Sequence, residues 1–309
     1  MMNNQYEVTP EIQAWLQKSL GSKSELNEMV PLKGGTSSHL FEFTAVREGR
    51  FESFVLRLFT LKEWLMMEPD LAKHEAASLK EAKKTRLAVP EIVAFDETGE
   101  FCGMPAVLMT KISGEVVLQP VDEKQWLKEM AIALSKIHRH AAEDFEWEYF
   151  AYNDALKMER PVWSGYADEW MRAFYIVGGI RPAAEFCFIH RDYHPTNVLW
   201  EDGRISGVVD WVNACRGPAG VDIGHCRVNL ALLYGISAAD EFLAAYEQAA
   251  GENFTYDPYW DLAALVDVSE GPPTVYPGWA VFGMTGLTDE LIRHRLDAYL
   301  LSLLKRFDE

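Results

Sequence analysis

The sequence predicts an α+β fold of two lobes: a small N-terminal lobe with an antiparallel sheet plus a helix, and a larger, mainly helical C-terminal lobe. The chain of 309 residues exceeds the roughly 100–200 residues that one hydrophobic core usually serves. Strand-like apolar runs dominate the first third of the chain, and helical apolar spacing dominates the rest. We therefore predict an N-terminal lobe over residues 1–112 and a C-terminal lobe over residues 113–309.

The N-terminal lobe is predicted to begin with a helix between Thr9 and Gly21. A cap residue and a first-turn proline there precede apolar residues at helical spacing, and a glycine ends the run. The runs HLFEFTAV and FESFVLRLF follow, and they are joined by Glu-Gly-Arg at residues 48–50. Two β-rich runs with so short a connection predict a hairpin.

A second helix is predicted to open at Asp70 and to end before Pro90. Two short apolar runs come next, at residues 91–95 and 105–112. The order strand, strand, helix, strand, strand, with hairpin-length connections, favours a mostly antiparallel sheet with one helix packed on it.

The remaining chain is dominated by apolar residues spaced three and four apart, which indicates helices. The predicted helices cover residues 122–140, 165–177, 222–234 and 238–250 and a long final segment from Asp289.

Composition limits the partners of the protein. The formal charge of −18 argues against nucleic acid and anionic membranes, which are bound through clusters of Lys and Arg. A cationic or neutral small molecule fits this charge better, although acidity for solubility alone would also explain it. The first twenty residues have no signal-peptide pattern and no apolar run reaches the ~18–20 residues of a membrane span, so a cytoplasmic protein is predicted.

The stretch HRDYHPTN at residues 190–197, followed by Asp210 in GVVDW, concentrates groups with chemical use. One interpretation is a metal-dependent hydrolase. Its candidate ligands would be His190, Asp192, His194, His225, Cys215 and Cys226. Pro195 prevents the helix that would align two of these histidines, and the zinc-protease pattern HExxH is absent.

The other interpretation is phosphoryl transfer, which needs an oriented acceptor hydroxyl and Mg²⁺ held against the transferred phosphate by oxygen ligands. Asp192 would be the base. Asn197 and Asp210 would hold Mg²⁺ through their amide and carboxylate oxygens.

The Asp-to-Asn spacing after His-Arg matches the catalytic-loop pattern of protein kinases, and Asp210 matches their metal-binding Asp. The longer stretch HRDYHPTNVLWEDGRISGVVDWVNACRGPAGVDIG resembles the aminoglycoside phosphotransferase and choline kinase-like family. The resemblance implies a protein kinase-like fold and a small-molecule phosphotransferase with ATP or GTP as co-substrate and Mg²⁺ as cofactor. His190 would then fix the loop and Asp222 would steady it. His194 is predicted to support the loop, with substrate contact as the alternative. From its position after GPAG, Asp222 is also predicted to cap the helix that follows.

The resemblance also assigns nucleotide contacts in the N-terminal lobe. The phosphate-covering loop would consist of Gly34, Gly35, Thr36, Ser37 and Ser38, which alone would suggest only a plain turn. The family's lysine–glutamate pair would correspond to Arg57 and Glu75, where Arg replaces Lys and a surface ion pair is the alternative. Lys62 is the nearest other candidate.

The family's hinge, whose backbone bonds the purine edge, would correspond to Met109, Thr110, Lys111 and Ile112. An ordinary edge strand is the alternative.

The acceptor is less defined by the sequence. Residues 238–309 hold 13 Asp and Glu against 4 Lys and Arg, and aromatic residues are frequent there and in residues 163–170. An acidic, aromatic pocket would suit a cationic small molecule or a sugar, whereas the same aromatics would also suit a core. Because Arg57 departs from the family pattern, a kinase-fold pseudoenzyme that binds nucleotide without turnover is the alternative function. Oligomeric state is not indicated.

Overall fold

A computed structural model describes residues 8–32, 38–47 and 49–308. The chain forms two compact units. The first comprises residues 1–114 and 206–213, and the second comprises residues 115–205 and 214–309. The segment 206–213, which carries Asp210, thus returns to the first unit, a feature that the predicted boundary at residue 112 did not include.

The first unit contains a sheet, with α1 and α3 as its longer helices. Its elements are α1 (Pro10–Leu20), β1 (Glu25–Leu26), β2 (Val30–Pro31), β3 (His39–Arg47), β4 (Arg50–Leu58), α2 (Lys62–Met67), α3 (Leu71–Ala82), β5 (Ile92–Asp96) and β6 (Ala106–Thr110).

All strand pairs of this sheet are antiparallel, in the order β1-β3-β4-β6-β5, with β2 also paired to β3. The β3–β4 hairpin pairs His39 with Leu58 at one end and Arg47 with Arg50 at the other. Apolar residues of α1 and of one sheet face form a common core. Burial of this area is the main stabilisation of the unit.

The connection between β5 and β6 is closed by one carboxylate. Asp96, 3% exposed, accepts hydrogen bonds from the backbone N–H groups of Gly99, Phe101 and Cys102. Gly99 has φ of +81°, a conformation that favours glycine. Gly99 and the Asp96 carboxylate together define the turn between β5 and β6.

The second unit is mainly helical, with short strands on either side of the HRDYHPTN loop. Its elements are β7 (Glu115–Val116), α4 (Glu123–His138), α5 (Ala167–Val177), β8 (Phe186–Ile189), β9 (Val198–Glu201), the start of β10 (Arg204–Val208), β11 (Cys215–Pro218), α6 (Ala219–Tyr234), α7 (Ile236–Ala250), α8 (Tyr259–Asp267), α9 (Pro277–Val281) and α10 (Asp289–Leu304). β8 pairs antiparallel with β11, and β7 pairs antiparallel with β9.

A buried ionic network ties four of these helices together. Arg227 of α6, fully buried, pairs with Asp261 of α8 and with Asp240 of α7. Tyr256 and Tyr299, the latter on α10, each donate a hydrogen bond to Asp261. Because each charge has several partners, the desolvation cost of burying the pair is offset.

The predicted α+β class is confirmed, with an antiparallel sheet in the first unit and helices in the second. The sequence did not predict α2, α8 or α9. α8 is buried on most sides and lacks the one-sided apolar spacing on which helix prediction relies. Within the described residues, no helix combines the length and the apolar character needed to cross a membrane.

Gly224 allows α6 and α8 to approach closely. A Cβ placed there would lie 2.3 Å from the backbone oxygen of Trp260. We expect Gly224→Ala to lower the free energy of unfolding by about 1–3 kcal/mol, because the helices must separate to admit the methyl group. Urea denaturation of both proteins measures this loss. Gly165→Ala, where a Cβ would meet no atom within 4 Å, is the control, and equal stability of the two variants would contradict the close approach.

Candidate active site

The HRDYHPTN loop leaves β8 and ends in a short 3₁₀ turn, Pro195–Asn197. Within it, the Asp192 carboxylate is contacted on both oxygens. Oδ1 lies 3.1 Å from Nε2 of His225 and 3.4 Å from Nε2 of His194. Oδ2 accepts a 3.1 Å hydrogen bond from Nδ2 of Asn197. The side chain is therefore held in one orientation while it stays 31% exposed.

The surroundings of Asp192 favour its ionised form. Burial opposes ionisation, but the charges and hydrogen bonds of His194 and His225 outweigh it and hold the pKa of Asp192 well below its ordinary value. The same carboxylate raises the pKa of His225 against the effect of burial. An ionised carboxylate that is oriented and partly exposed is able to accept a proton from a hydroxyl group.

Asn197 is fixed by its amide nitrogen, which donates to the backbone oxygen of Asp192 at 2.8 Å as well as to the Asp192 side chain. The nitrogen is thereby committed to the loop. The amide oxygen remains as the group that can coordinate a hard cation such as Mg²⁺.

Asp222 anchors the loop from the first turn of α6. This carboxylate, fully buried, accepts hydrogen bonds from the backbone N–H groups of His190 at 2.7 Å and Arg191 at 2.6 Å. It also accepts one from Nε2 of His138 at 3.0 Å. Burial acts to raise the pKa of Asp222, but the hydrogen bonds and charges of His138 and His190 outweigh it. The pKa of Asp222 therefore lies below its ordinary value.

The prediction that Asp222 caps a helix is wrong, because α6 begins three residues earlier, at Ala219. The sequence GPAG at residues 217–220 suggested a loop up to Asp222, whereas Gly217 and Pro218 end β11 and the next two residues already belong to the helix. The carboxylate bonds the catalytic loop instead of its own helix terminus.

Arg191 adopts a left-handed backbone with φ of 66°. Its guanidinium donates to the backbone oxygen of Phe150 at 2.6 Å and lies over the rings of Phe150 and Tyr152, at 4.3 and 4.0 Å from their centroids. These contacts compensate for the strained backbone.

The two histidines of the motif have different surroundings. His190 is fully buried, and its Nδ1 accepts a 3.3 Å hydrogen bond from the backbone N–H of Asp192. Nδ1 of His194 lies 3.0 Å from Oγ1 of Thr196, and its other nitrogen faces Asp192. His190 thus supports the backbone, whereas His194 contacts the Asp192 carboxylate.

His225 was considered from the sequence only as a possible metal ligand, and its contact with Asp192 was missed. The spacing offered a signal: Asp222 and His225 are three residues apart, so on a helix they share a face. Both residues already lay within the predicted helix over residues 222–234, but the sequence does not say which element that helix face contacts.

In the first unit, Arg57 of β4 bridges two carboxylates. Its Nη1 donates to Oε1 of Glu75 at 2.7 Å, and its Nη2 donates to Oδ1 of Asp210 at 2.8 Å. Arg57 is 5% exposed, so this is not a surface ion pair. Asp210 has φ of 67°, and Lys62 is exposed at the start of α2.

Burial raises the pKa of Glu75 to about 7, with Arg57 acting against this rise and Asp210 adding to it. Ionisation of Glu75 at neutral pH therefore depends on the guanidinium beside it.

The predicted hinge overlaps the end of β6: Met109 and Thr110 are its last two residues, and Lys111 and Ile112 follow it. The N–H of Thr110 donates to the backbone oxygen of Glu91, and that of Lys111 donates to the backbone oxygen of Ser53. Met109 is paired within the sheet, and Ile112 packs at Gly207. A purine would have to use other backbone groups of this segment.

The predicted phosphate-covering loop lies largely outside the described residues. Gly34, Gly35, Thr36 and Ser37 are among those not described, and Ser38, buried, directly precedes β3.

The predicted acceptor aromatics divide between core and surface. Trp170, Tyr259, Trp260 and Trp279 are buried, whereas Tyr166 is 43% exposed. Two of the acidic residues of the C-terminal segment, Asp240 and Asp261, pair with Arg227. Part of the aromatic and acidic content therefore serves packing.

Donor atoms of Asp192, His194 and His225 all lie within 4.8 Å of one another, and within the described part of the chain no other such group of three is found. Of the metal ligands considered from the sequence, His190, Cys215 and Cys226 are not members of this group.

The fold is protein kinase-like. Residues 28–275 match the Phosphotransferase enzyme family (APH), and the chain belongs to this family.

Two solved structures share this fold. A candidate aminoglycoside phosphotransferase of Ralstonia eutropha JMP134 has a TM-score of 0.62 at 16% identity, with 96% of this chain and 98% of that chain covered. A thermostable mutant of aminoglycoside phosphotransferase APH(4)-Ia, in a ternary complex with ADP and hygromycin B, has a TM-score of 0.59 at 16% identity, with 94% and 98% covered.

A homoserine kinase of Sinorhizobium medicae (strain WSM419) is 28% identical over 170 residues, which cover 48% of this chain and 49% of that protein. The chain spans about half the length of the curated relatives it matches.

Asp222 gives a stability test. We expect Asp222→Ala to lower the free energy of unfolding at pH 7 by about 3–5 kcal/mol, because buried donors lose their charged partner. Since the pKa of Asp222 is lowered by folding, its stabilisation is present above the ordinary Asp pKa of about 4 and is lost as the pH falls through the lower folded value.

Urea denaturation between pH 7 and pH 3 should therefore show a difference between wild type and variant that shrinks at the acidic end. The exposed Asp144 provides the control Asp144→Ala, for which a change within about 0.5 kcal/mol is expected. A difference that stays constant down to pH 3 would contradict the assigned role.

Proposed function

We propose that the protein transfers the γ-phosphate of ATP or GTP to a hydroxyl group of a small molecule, in a Mg²⁺-dependent reaction. The observation that carries this proposal is the Asp192 carboxylate, ionised and oriented beside Asn197 on a loop anchored by Asp222. Membership of the Phosphotransferase enzyme family supports it.

Asp192 is proposed to act as the base. Its carboxylate would accept the proton of the acceptor hydroxyl as the oxygen attacks the γ-phosphorus. His194 and His225 hold the carboxylate for that contact, since both face Oδ1. Positioning of this kind accounts for much of the catalysis in phosphoryl transfer.

Mg²⁺ is proposed to take oxygen ligands from Asn197 and Asp210. The donor set fits, because an amide oxygen and a carboxylate are hard ligands and the Asn197 nitrogen is already engaged elsewhere. When bound, Mg²⁺ supplies charge neutralisation of the transferred phosphate. Asp210 would exchange its contact with Arg57 for the metal, at least in part.

Nucleotide contacts are proposed for the first unit. Arg57, oriented by Glu75, would meet the phosphates, and the backbone of Gly34, Gly35, Thr36, Ser37 and Ser38 would cover them. The segment Met109–Ile112 would face the purine. A solved structure of similar fold that contains ADP supports a nucleotide co-substrate.

The acceptor is proposed to be a hydroxylated small molecule, cationic at neutral pH, in keeping with the net charge of −18. One relative is a homoserine kinase, and one structural neighbour was solved with hygromycin B. A cytoplasmic location remains the prediction from the sequence. A screen of hydroxylated amines, antibiotics and sugars for acceptor-dependent release of ADP or GDP tests the proposal.

With an acceptor found by this screen, Asp192→Asn should lower kcat by about 10²–10⁴-fold, the usual contribution of a positioned base. Nucleotide affinity, measured by calorimetry, should change little because Asp192 acts on the acceptor. Wild-type turnover in this variant would rule out Asp192 as the base.

Asp210→Asn should weaken Mg²⁺-nucleotide binding, since one carboxylate ligand is lost. Calorimetric titration with nucleotide, with and without Mg²⁺, separates this effect from nucleotide binding alone. Asp202→Asn, on the exposed turn between β9 and β10, is the matched control. Unchanged Mg²⁺ dependence would argue against Asp210 as a ligand.

The pseudoenzyme alternative is favoured by one observation, the engagement of Arg57 with Asp210 as well as Glu75. Nucleotide binding without acceptor phosphorylation or nucleotide hydrolysis across the screen would select it.

A further inference from the structure

The side chains around Asp192 are also spaced like the ligands of a metal ion. Two imidazole nitrogens and one carboxylate oxygen face one another, and no two of these donor atoms are more than 4.8 Å apart. The distances from Oδ1 to the two Nε2 atoms are 3.1 and 3.4 Å. Zinc bound at about 2.0–2.1 Å by tetrahedral ligands separates neighbouring donor atoms by about 3.3 Å. The spacing of the three donors therefore matches two edges of such a site.

The three side chains are also held in place by other contacts. Nδ1 of His194 lies 3.0 Å from the hydroxyl of Thr196, a partner of the kind that fixes the coordinating nitrogen of a metal-bound histidine. His225 projects from α6, which is joined to the loop by the hydrogen bonds of Asp222. Asp192 is held by Asn197 through its other oxygen. Little rearrangement is needed for the three donors to meet one ion.

We propose that Asp192, His194 and His225 bind Zn²⁺ and that the bound ion inhibits phosphoryl transfer. The ion would take the Asp192 oxygen and its lone pair, so the carboxylate could no longer receive the proton of the acceptor hydroxyl. Binding of Zn²⁺ follows from the donor geometry alone, whereas inhibition rests on the proposed function.

Ligand chemistry separates this ion from the catalytic metal. Two imidazoles and one carboxylate favour Zn²⁺ and similar transition metals, whereas Mg²⁺ prefers all-oxygen surroundings. Three protein ligands leave a fourth position for water or an acceptor oxygen, as in zinc sites that are open to solvent. The group is partly exposed, with 12%, 26% and 31% of the His194, His225 and Asp192 side chains accessible, so an ion can enter.

Binding is tested on the full chain, freed of metal, by calorimetric titration with ZnCl₂. We expect one ion per chain of the wild type. In His225→Ala the dissociation constant should rise at least about 10-fold, because even the loss of an outer-shell partner of a metal ligand lowers metal affinity by that factor. His294→Ala, an exposed histidine of α10, is the matched control and should bind like wild type. Equal zinc affinity in His225→Ala and wild type would overturn the proposal.

Co²⁺ gives a second readout that needs no activity. Bound by these three ligands, it should show the intense visible absorption of a four-coordinate ion, and that absorption should vanish in His225→Ala. A weak six-coordinate spectrum in wild type would contradict the site. If His225→Ala fails to fold by circular dichroism, His194→Gln serves the same comparison at another ligand.

The inhibitory consequence is tested in the phosphotransferase assay at saturating Mg²⁺. Added ZnCl₂ should reduce wild-type turnover over the concentration range of its calorimetric binding, and a zinc-selective chelator should restore it. Turnover that is unaffected at saturating zinc would overturn inhibition. Zinc binding without any phosphotransfer would remove the proposed function but leave the metal site, whereas phosphotransfer without zinc binding would remove only the metal site.

Discussion

The candidate site depends on one buried carboxylate, Asp222. It accepts two backbone N–H groups of the HRDYHPTN loop and the imidazole of His138, so three elements converge on a single charge. Without that acceptor, two buried amide groups would lack partners, which the fold cannot tolerate at low cost. The positions of Asp192, Asn197 and the histidines around them follow from the backbone path that this anchor selects.

Arg57 stands where the resemblance predicts a lysine, and the two residues differ in the number of side chains they can bind. A lysine offers one compact charge, whereas the planar guanidinium has separate nitrogens for Glu75 and for Asp210. One guanidinium therefore pairs with two acidic side chains at once. Under the proposed function, a nucleotide phosphate would exchange with one of these carboxylates for the guanidinium.

Spacing in the sequence was informative for candidate site residues that lie close together along the chain. Asp192 and Asn197 were predicted from their five-residue separation. The Arg57–Glu75 pair was predicted from the resemblance to the family, and the two side chains do form an ion pair. The sequence could not place the long-range contacts: nothing in it says that Asp210 pairs with Arg57, 153 residues away, or that His225 faces Asp192. His225 was placed on a predicted helix, but its partner lies on a distant loop that spacing does not reveal. α8, buried on most sides, has no one-sided periodicity to detect.

Arg191 shows how side-chain contacts allow a non-glycine residue to hold a left-handed backbone in this loop. Its left-handed backbone would cost an ordinary residue about 1–2 kcal/mol, and glycine would adopt it without strain. The chain instead uses an arginine whose head group is held against Phe150 and Tyr152, so side-chain contacts replace conformational freedom. Homologues that place glycine here would share the loop's path but lose its attachment to the segment around residue 150. Substitutions at position 191 should therefore occur together with substitutions at positions 150 and 152.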